Sequence, residues 1–394
     1  MAILRASALA LLTVLPLHAF AGEPVTIGET FRIRSKVLNE DRTYQVHLPA
    51  SYPWAKDRRY PVLYVLDGRT HFRHMAASAD FLAAEGEMPE TIVVAVASTV
   101  RIRDFTQTDW KEAWVGGGGA ANFKRFLSTE LIPLVERTYR TDGFRTLLGH
   151  SAGGQFVLYT LTSEPALFRA YVALSPSLDW DHRLPARSLR KALESASSLS
   201  AFLYAARSDD SGQALADWDE LVAALGARKV PGFRWKTEAF PEERHRSIPL
   251  VGSIHALRAL YDGYRMPEGL ADGGIAAVNR HYEAFSKTLG WPVAPTESAV
   301  NEVAYAELER GRTEEAIALF RRNVDAHPYS ANAWDGLKDG YAKVGRWKDA
   351  AAAADRALEL ARASDDPQLP EFEHQARKMR DRLNEETGPP RSRE

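Results

Sequence analysis

Cysteine is absent from the 394 residues of the chain. Its absence excludes disulfides, thiolate metal sites, a cysteine nucleophile and a lipid anchor on an N-terminal cysteine. An excess of one charge is also missing, because 50 Lys and Arg face 52 Asp and Glu and the formal net charge is −2. Without a polybasic stretch, neither nucleic acid nor anionic lipid is an expected partner. The 45% of hydrophobic residues, with 10% aromatic, are typical of a packed globular protein.

A run of about 20 apolar residues, the length that spans a bilayer, is lacking as well. Residues 1–21 instead combine the positive Arg5, a short apolar run over 8–17 and the small-x-small pattern Ala19-Phe20-Ala21. This combination predicts a cleaved secretory signal peptide, and therefore a periplasmic or secreted protein. A membrane anchor or a buried first helix is the alternative, and the apolar run is too short for the anchor.

Hydrophobic patterning then divides the chain into two kinds of segment. From Gly22 to about Asp57 polar and apolar residues alternate, which predicts antiparallel strands, the first of them near Thr26-Ile27-Gly28. Later segments such as 60–66 and 92–97 are almost continuously apolar, as in parallel strands buried on both faces. Helical patterns lie between them, so we predict an α/β fold with a doubly wound, mostly parallel sheet. The predicted helices cover residues 70–84, 121–139, 154–161 and 212–225.

The strand pattern stops near residue 290, and an all-helical tail follows. Gly311 and Gly345 are 34 residues apart, as are Ala316 and Ala350. This period, with a small residue five positions after a turn glycine, is the signature of a tetratricopeptide repeat, and a generic pair of helical hairpins is the alternative. The predicted domains are a signal peptide over 1–21, an α/β domain over 22–265, a helical linker over 266–296, tetratricopeptide-like repeats over 297–386 and a disordered tail over 387–394.

The segment Gly149-His150-Ser151-Ala152-Gly153 has the pattern G-x-S-x-G. It follows a predicted strand over 145–148 and precedes a predicted helix, which is the context of a nucleophile elbow. There the serine occupies a strained strand-to-helix turn with its hydroxyl exposed. We therefore predict Ser151 as a catalytic nucleophile, the alternative being a serine in a structural turn.

A serine nucleophile needs a base, and the base needs a carboxylate that orients it. In this fold the acid and then the histidine follow the serine along the chain. His245 lies in a polar loop after the last predicted strand, where the base is expected. The acid should follow the strand over 201–205, where Asp209 is our prediction and Asp210 the alternative.

Two backbone N–H groups should stabilise the oxyanion. One belongs to Ala152, directly after the nucleophile. The other comes from the loop after the strand over 61–66, where Gly68 permits a sharp turn and Arg69 N–H is the predicted donor. No metal site is apparent, since His71 and His74 have no further ligands near them in sequence, and no cofactor is expected.

Five motifs of the chain form a recognisable set: Leu66-Asp67-Gly68, Arg101-Ile102-Arg103-Asp104, the Gly149–Gly154 segment, Ser175-Pro176-Ser177-Leu178 and the His245 loop. Together they resemble the "putative esterase" family of α/β-hydrolases, which includes esterase D-like enzymes, ferric-siderophore esterases and mycolyltransferases. The resemblance is closest to a subgroup with C-terminal tetratricopeptide repeats. It implies a triad at Ser151, Asp209 and His245 and oxyanion donors at Arg69 and Ala152. The subgroup usually has an Asn-Glu pair at the acid position, where this chain has Ser208-Asp209.

The resulting hypothesis is an exported serine carboxylic-ester hydrolase that forms an acyl-enzyme and acts on a siderophore-like or other small ester. An acyltransferase with the same triad, or a repeat-mediated binding protein with a vestigial hydrolase domain, is the alternative. Arg101, Arg103 and Trp180 are candidate substrate contacts, against the alternatives of a salt-bridged loop and of packing. The expected partners are a small-molecule ester and a protein partner, or a second copy, bound through the repeats.

Overall fold

The computed structural model describes residues 24–113 and 116–387. The predicted signal peptide and the chain beyond residue 387 lie outside these ranges. Among the described residues, no helix combines the length and the apolar character needed to cross a bilayer.

One sheet of eight strands organises the chain, in the order β1-β2-β4-β3-β5-β6-β7-β8. The strand β1 pairs antiparallel with β2, and β2 antiparallel with β4, whereas all other neighbours are parallel. The predicted doubly wound, mostly parallel sheet is therefore confirmed. The predicted strand at 26–28 is wrong, since that segment is irregular and the first strand begins at Glu29. The strands are β1 (Glu29–Ser35), β2 (Glu40–His47), β3 (Tyr60–Leu66), β4 (Ile92–Val96), β5 (Thr141–His150), β6 (Ala170–Leu174), β7 (Ala201–Arg207) and β8 (Phe233–Ala239).

Helices cover both faces of the sheet, which explains why its central strands are apolar throughout. In β3, Tyr64 packs with α3, α4 and α5 on one face, and Leu63 and Val65 pack with α1 and α8 on the other. The helices of this part are α1 (Gly68–Ala84), α2 (Arg101–Phe105), α3 (Ala120–Phe126), α4 (Ile132–Thr138), α5 (Ala152–Ser163), α6 (Trp180–Ser195), α7 (Gly212–Gly226), α8 (Ile248–Leu260) and α9 (Gly274–Leu289).

Two helices differ from the sequence pattern. The helix predicted over 121–139 is divided into α3, a π-helical turn over Leu127–Leu131, and α4. Pro133 at the start of α4 has no N–H to continue an α-helical ladder, which accounts for the change of winding. The helix α6 was not predicted. It opens with three residues of left-handed backbone, 181–183, and contains Pro185, so its helical periodicity is weak.

The tail consists of five helices that pack in succession around their own core. Gly311 and Gly345 adopt φ of 78° and 72° in the turns between helices, as the predicted turn glycines require. Ala316 and Ala350 are fully buried at the helix contacts. These features suit 34-residue helix–turn–helix repeats, and the tetratricopeptide assignment stays a prediction. The tail helices are α10 (Glu297–Glu309), α11 (Thr313–Ala326), α12 (Ala331–Lys343), α13 (Trp347–Ser364) and α14 (Leu369–Thr387).

Candidate active site

Ser151 joins the end of β5 to the start of α5 with φ 60° and ψ −121°. A left-handed backbone costs a residue with a Cβ about 1–2 kcal/mol, so the surrounding structure must hold it. The motif's first glycine makes the turn possible, because a Cβ at Gly149 would lie 2.3 Å from the carbonyl oxygen of Gly153. The structure thus contains the strand–serine–helix geometry that a nucleophile elbow requires.

A cavity of about 290 Å³ opens beside this serine. Its wall brings together Ser151, His245 and Asp210, which lie far apart in sequence. Leu178 and Trp218 supply apolar surface, as acyl-binding cavities commonly do. Three of the residues around which the sequence hypothesis was built therefore share one concave site.

The hydroxyl of Ser151 has its closest polar neighbour in Ser177, a residue that the sequence analysis quoted without giving it a role. The two Oγ atoms are 3.4 Å apart, and Ser177 N–H donates to the carbonyl oxygen of Ser151 at 3.1 Å. Within the described ranges, the ring of His245 makes no hydrogen bond to Ser151 or to either candidate aspartate. Catalytic hydrogen bonds are often long without substrate and shorten when it binds.

The electrostatic surroundings of His245 favour the neutral imidazole that a base requires. Partial desolvation in the cavity wall lowers its pKa below 6.5, and Asp210 opposes that decrease. The guanidinium of Arg101 acts in the same direction as desolvation, and the more weakly coupled Asp209 opposes it. His245 is therefore unprotonated near neutral pH.

The two candidate acids occupy different environments. Asp210 is half-buried and lines the cavity. Asp209 is exposed, and its backbone N–H donates to the carbonyl oxygen of Glu243 at 2.9 Å. Of the two carboxylates, Asp210 interacts more strongly with His245. The contacts thus favour the alternative acid over the one ranked first from sequence.

The predicted oxyanion donors lie near the ends of adjacent parallel strands. Arg69 is the second residue of α1 and Ala152 the first of α5. The first N–H groups of a helix have no acceptor within the helix, so both are available to an anion. In the sheet, Val65 of β3 pairs with Leu148 of β5, which brings the two helix starts to the same edge.

Arg101, predicted as a substrate contact, instead supports the elbow. Its Nε lies 3.0 Å from both carboxylate oxygens of Asp67, and its Nη2 donates to the carbonyl oxygen of His150 at 2.9 Å. Asp67, interpreted as a turn residue, follows β3 with a left-handed backbone of φ 55°. From sequence, the Leu66-Asp67-Gly68 motif is recognisable as a turn. A turn motif does not show that Arg101 would bind the Asp67 carboxylate.

The other two predicted substrate contacts have partners within the protein. Arg103 pairs with Glu40 at 2.6 Å and with Asp104 at 2.7 Å. The indole N–H of Trp180 donates to Thr108 Oγ1 at 3.1 Å, and its ring is 93% buried, since 7% remains exposed. Neither residue lines the cavity. Arg103 thus belongs to a salt-bridged loop and Trp180 packs in the interior, as the alternatives stated from sequence have it.

A strained serine at the carboxyl edge of a mostly parallel sheet, with helices on both faces, defines the architecture of an α/β-hydrolase. Comparison with known proteins makes this more particular. Residues 35–238 match the model of the family described as "Putative esterase". The chain belongs to that family, and the resemblance noted from sequence is confirmed.

Among the curated relatives, two bacterial proteins are named as esterases. Ferri-bacillibactin esterase BesA of Bacillus subtilis is 34% identical over 167 residues, covering 36% of this chain and 56% of the relative. Apo-salmochelin esterase of Escherichia coli is 32% identical over 154 residues, covering 35% and 48%. The chain thus spans about half the length of these curated relatives.

Two solved structures share the fold. An IroE-like serine hydrolase from Shewanella oneidensis superposes with a TM-score of 0.63 at 27% identity, covering 74% of this chain and 97% of that one. An uncharacterised protein from Capnocytophaga ochracea gives 0.62 at 20% identity, covering 90% and 99%. The second likeness concerns fold alone and extends into the helical tail.

Proposed function

We propose that this protein is an exported serine carboxylic-ester hydrolase with Ser151 as its nucleophile. The observation that carries the proposal is the left-handed Ser151 on its elbow, sharing a cavity wall with His245 and Asp210. Membership of the esterase family and the names of the curated relatives support the same reaction class. The leader pattern of residues 1–21 supports export to the periplasm or the medium.

The reaction follows from the positions of these groups. Neutral His245 removes the hydroxyl proton as Ser151 attacks the ester carbonyl. The N–H groups of Arg69 and Ala152 then stabilise the oxyanion of the tetrahedral intermediate. Its collapse breaks the ester C–O bond, the departing alkoxide takes the proton from His245, and an acyl-enzyme remains. Water, deprotonated by the same histidine, releases the acid and restores the serine.

For the carboxylate that orients His245 we propose Asp210, with Asp209 as the alternative. The proposal rests on the place of Asp210 in the cavity wall and its stronger interaction with the imidazole. A carboxylate there stabilises the imidazolium that forms during attack.

For the substrate we propose a small ester of the siderophore type. The support is the names of the relatives, which concern ferri-bacillibactin and apo-salmochelin. The cavity of about 290 Å³ accommodates a small acyl group. Its apolar wall of Leu178 and Trp218 suits an aromatic or alkyl acyl group.

Active-site labelling tests the nucleophile directly. Wild-type protein treated with a fluorophosphonate should lose activity on p-nitrophenyl acetate while one equivalent of label appears on the peptide that contains Ser151, located by mass spectrometry. The Ser151→Ala variant should neither label nor turn over, and Ser195→Ala, at the exposed end of α6, serves as the serine control. Stoichiometric labelling of an active wild type at any other residue would overturn the assignment.

A further inference from the structure

His150 is the last residue of β5 and directly precedes the nucleophile, and the proposed chemistry gives its side chain no role. Its Nε2 lies 2.6 Å from the backbone carbonyl oxygen of His245, and the two imidazole rings are 4.6 Å apart. A carbonyl oxygen can only accept, so Nε2 carries the hydrogen and the tautomer of His150 is determined. The bond joins residues 95 positions apart, one beside the nucleophile and the other carrying the base.

The main chain of His150 is held from the opposite direction. Arg101 Nη2 donates to its carbonyl oxygen at 2.9 Å, and Asp67 holds that guanidinium through Nε at 3.0 Å. The backbone of His150 is thus tied to the elbow, while its ring reaches the loop over 241–247. That loop is largely exposed. Besides the bond from Asp209 N–H to the Glu243 carbonyl oxygen, it is held by bonds within its own turn, such as Arg244 N–H to Ser247 Oγ at 3.0 Å.

The surroundings of His150 keep its ring uncharged. The rings of His71 and His150 are nearly perpendicular, with their centroids 5.9 Å apart, and His71 Nδ1 contacts His74 Nε2 at 3.0 Å. Burial is the main cause that lowers the pKa of His150 to about 3 and the pKa of His74 to about 4. The rings of His150 and His74 are therefore neutral near neutral pH. The hydrogen bond from His150 Nε2 to the His245 carbonyl thus adds no positive charge beside the base.

We propose that His150 is a positioning residue, which sets the separation of Ser151 and His245 by donating its Nε2–H to the His245 carbonyl. The inference rests on the proposed roles of Ser151 and His245. His150, the second residue of the G-x-S-x-G segment, would then position His245 in addition to forming part of the turn.

Two substitutions separate the donor from the volume of the ring. His150→Phe keeps an aromatic ring but removes the donor, whereas His150→Gln places an amide N–H near the position of Nε2. Because small displacements of a catalytic group are costly, kcat on p-nitrophenyl acetate should fall about 10- to 100-fold in His150→Phe, with KM changed less than about twofold. His150→Gln should recover kcat to within about fivefold of wild type. His374→Phe, on the exposed face of α14, is the matched control and should behave as wild type.

Amide hydrogen exchange measures the loop independently of catalysis. His150→Phe should speed exchange in residues 241–247, His150→Gln should restore slow exchange, and circular dichroism melting should confirm that both variants fold. Equal kcat values for the Phe and Gln variants, or unchanged loop exchange in a folded His150→Phe protein, would overturn the positioning role. If instead wild-type labelling misses Ser151, the proposed function fails, and the exchange result still decides whether His150 anchors this loop.

Discussion

The α/β domain and the helical tail differ in how their strained backbone is restrained. Asp67, Ser151 and Ser175 directly follow the parallel strands β3, β5 and β6, with φ of 55°, 60° and 36°. In the tail, Gly311 and Gly345 occupy two turns that need positive φ, and Asp365, with φ 51°, directly follows α13. Glycine adopts such turns without steric cost. The sheet edge uses residues with functional side chains there, and the surrounding fold must supply the restraint.

The contacts at these positions show how the restraint is provided. Asp67 binds Arg101 through its carboxylate. Ser151 N–H donates to the carbonyl oxygen of Leu174 at 2.9 Å, and Ser175 N–H donates to that of Ala206 at 2.7 Å. The two serines are therefore bonded across neighbouring strands and Asp67 is bonded to α2, whereas a turn in the tail needs only its local sequence. Strain concentrated at a cavity in this way is typical of functional sites.

The largest expected effect on activity comes from Ser151, whose substitution also tests the backbone strain at the sheet edge. Ser151→Ala should lower kcat/KM on p-nitrophenyl acetate at least about 1,000-fold, because the nucleophile is lost. Ser151→Gly should be equally inactive yet more stable than Ser151→Ala by about 1 kcal/mol, since glycine accepts φ 60° without strain. Melting curves and denaturant titrations of the two inactive variants measure this difference. Equal free energies of unfolding for the Ala and Gly variants would contradict backbone strain at Ser151.

A second test distinguishes the two aspartates after β7. Asp210→Asn should lower kcat about 100-fold or more, because the imidazolium loses its carboxylate, whereas Asp209→Asn should lower it less than about fivefold. Asp210 raises the pKa of His245, so its removal should move the acidic limb of the kcat/KM profile to lower pH. Steady-state rates measured between pH 4 and pH 9 for both variants give kcat and the position of the acidic limb of the kcat/KM profile. The reverse order of effects would restore Asp209 as the acid.

The smallest expected effects are on stability, and they compare a glycine in a crowded site with a glycine in open space. Gly149→Ala should destabilise the catalytic domain by about 3 kcal/mol, since its Cβ would meet the backbone of Gly153 at 2.3 Å. Gly311→Ala has open space around the added Cβ and a φ of 78°, so about 1 kcal/mol is expected there. Thermal unfolding followed by circular dichroism measures both losses. If Gly311→Ala proved the more costly, the tail rather than the sheet edge would hold the tighter turn.

Patterns local in sequence were sufficient for the parallel strands and for the elbow. The apolar segments of β3 and β4 could be recognised because both faces of a parallel strand are buried, and G-x-S-x-G could be recognised because its glycines serve a local turn. The helix α6 could not be recognised, since left-handed residues and Pro185 interrupt its helical period. The protein partners of Arg101 and Trp180 could not be inferred either, because a loop sequence does not state which residues its side chains will meet.

By itself, the sequence determined the fold class, the position of the elbow serine and the spacing of the tail helices, because each depends on residues within a few positions of one another. The tertiary structure alone decided which aspartate lines the cavity, that Arg101 turns inward to Asp67, and that His150 touches the carbonyl of His245. Those contacts join residues separated by 34 and 95 positions, and only the packing of the strands brings them within bonding distance.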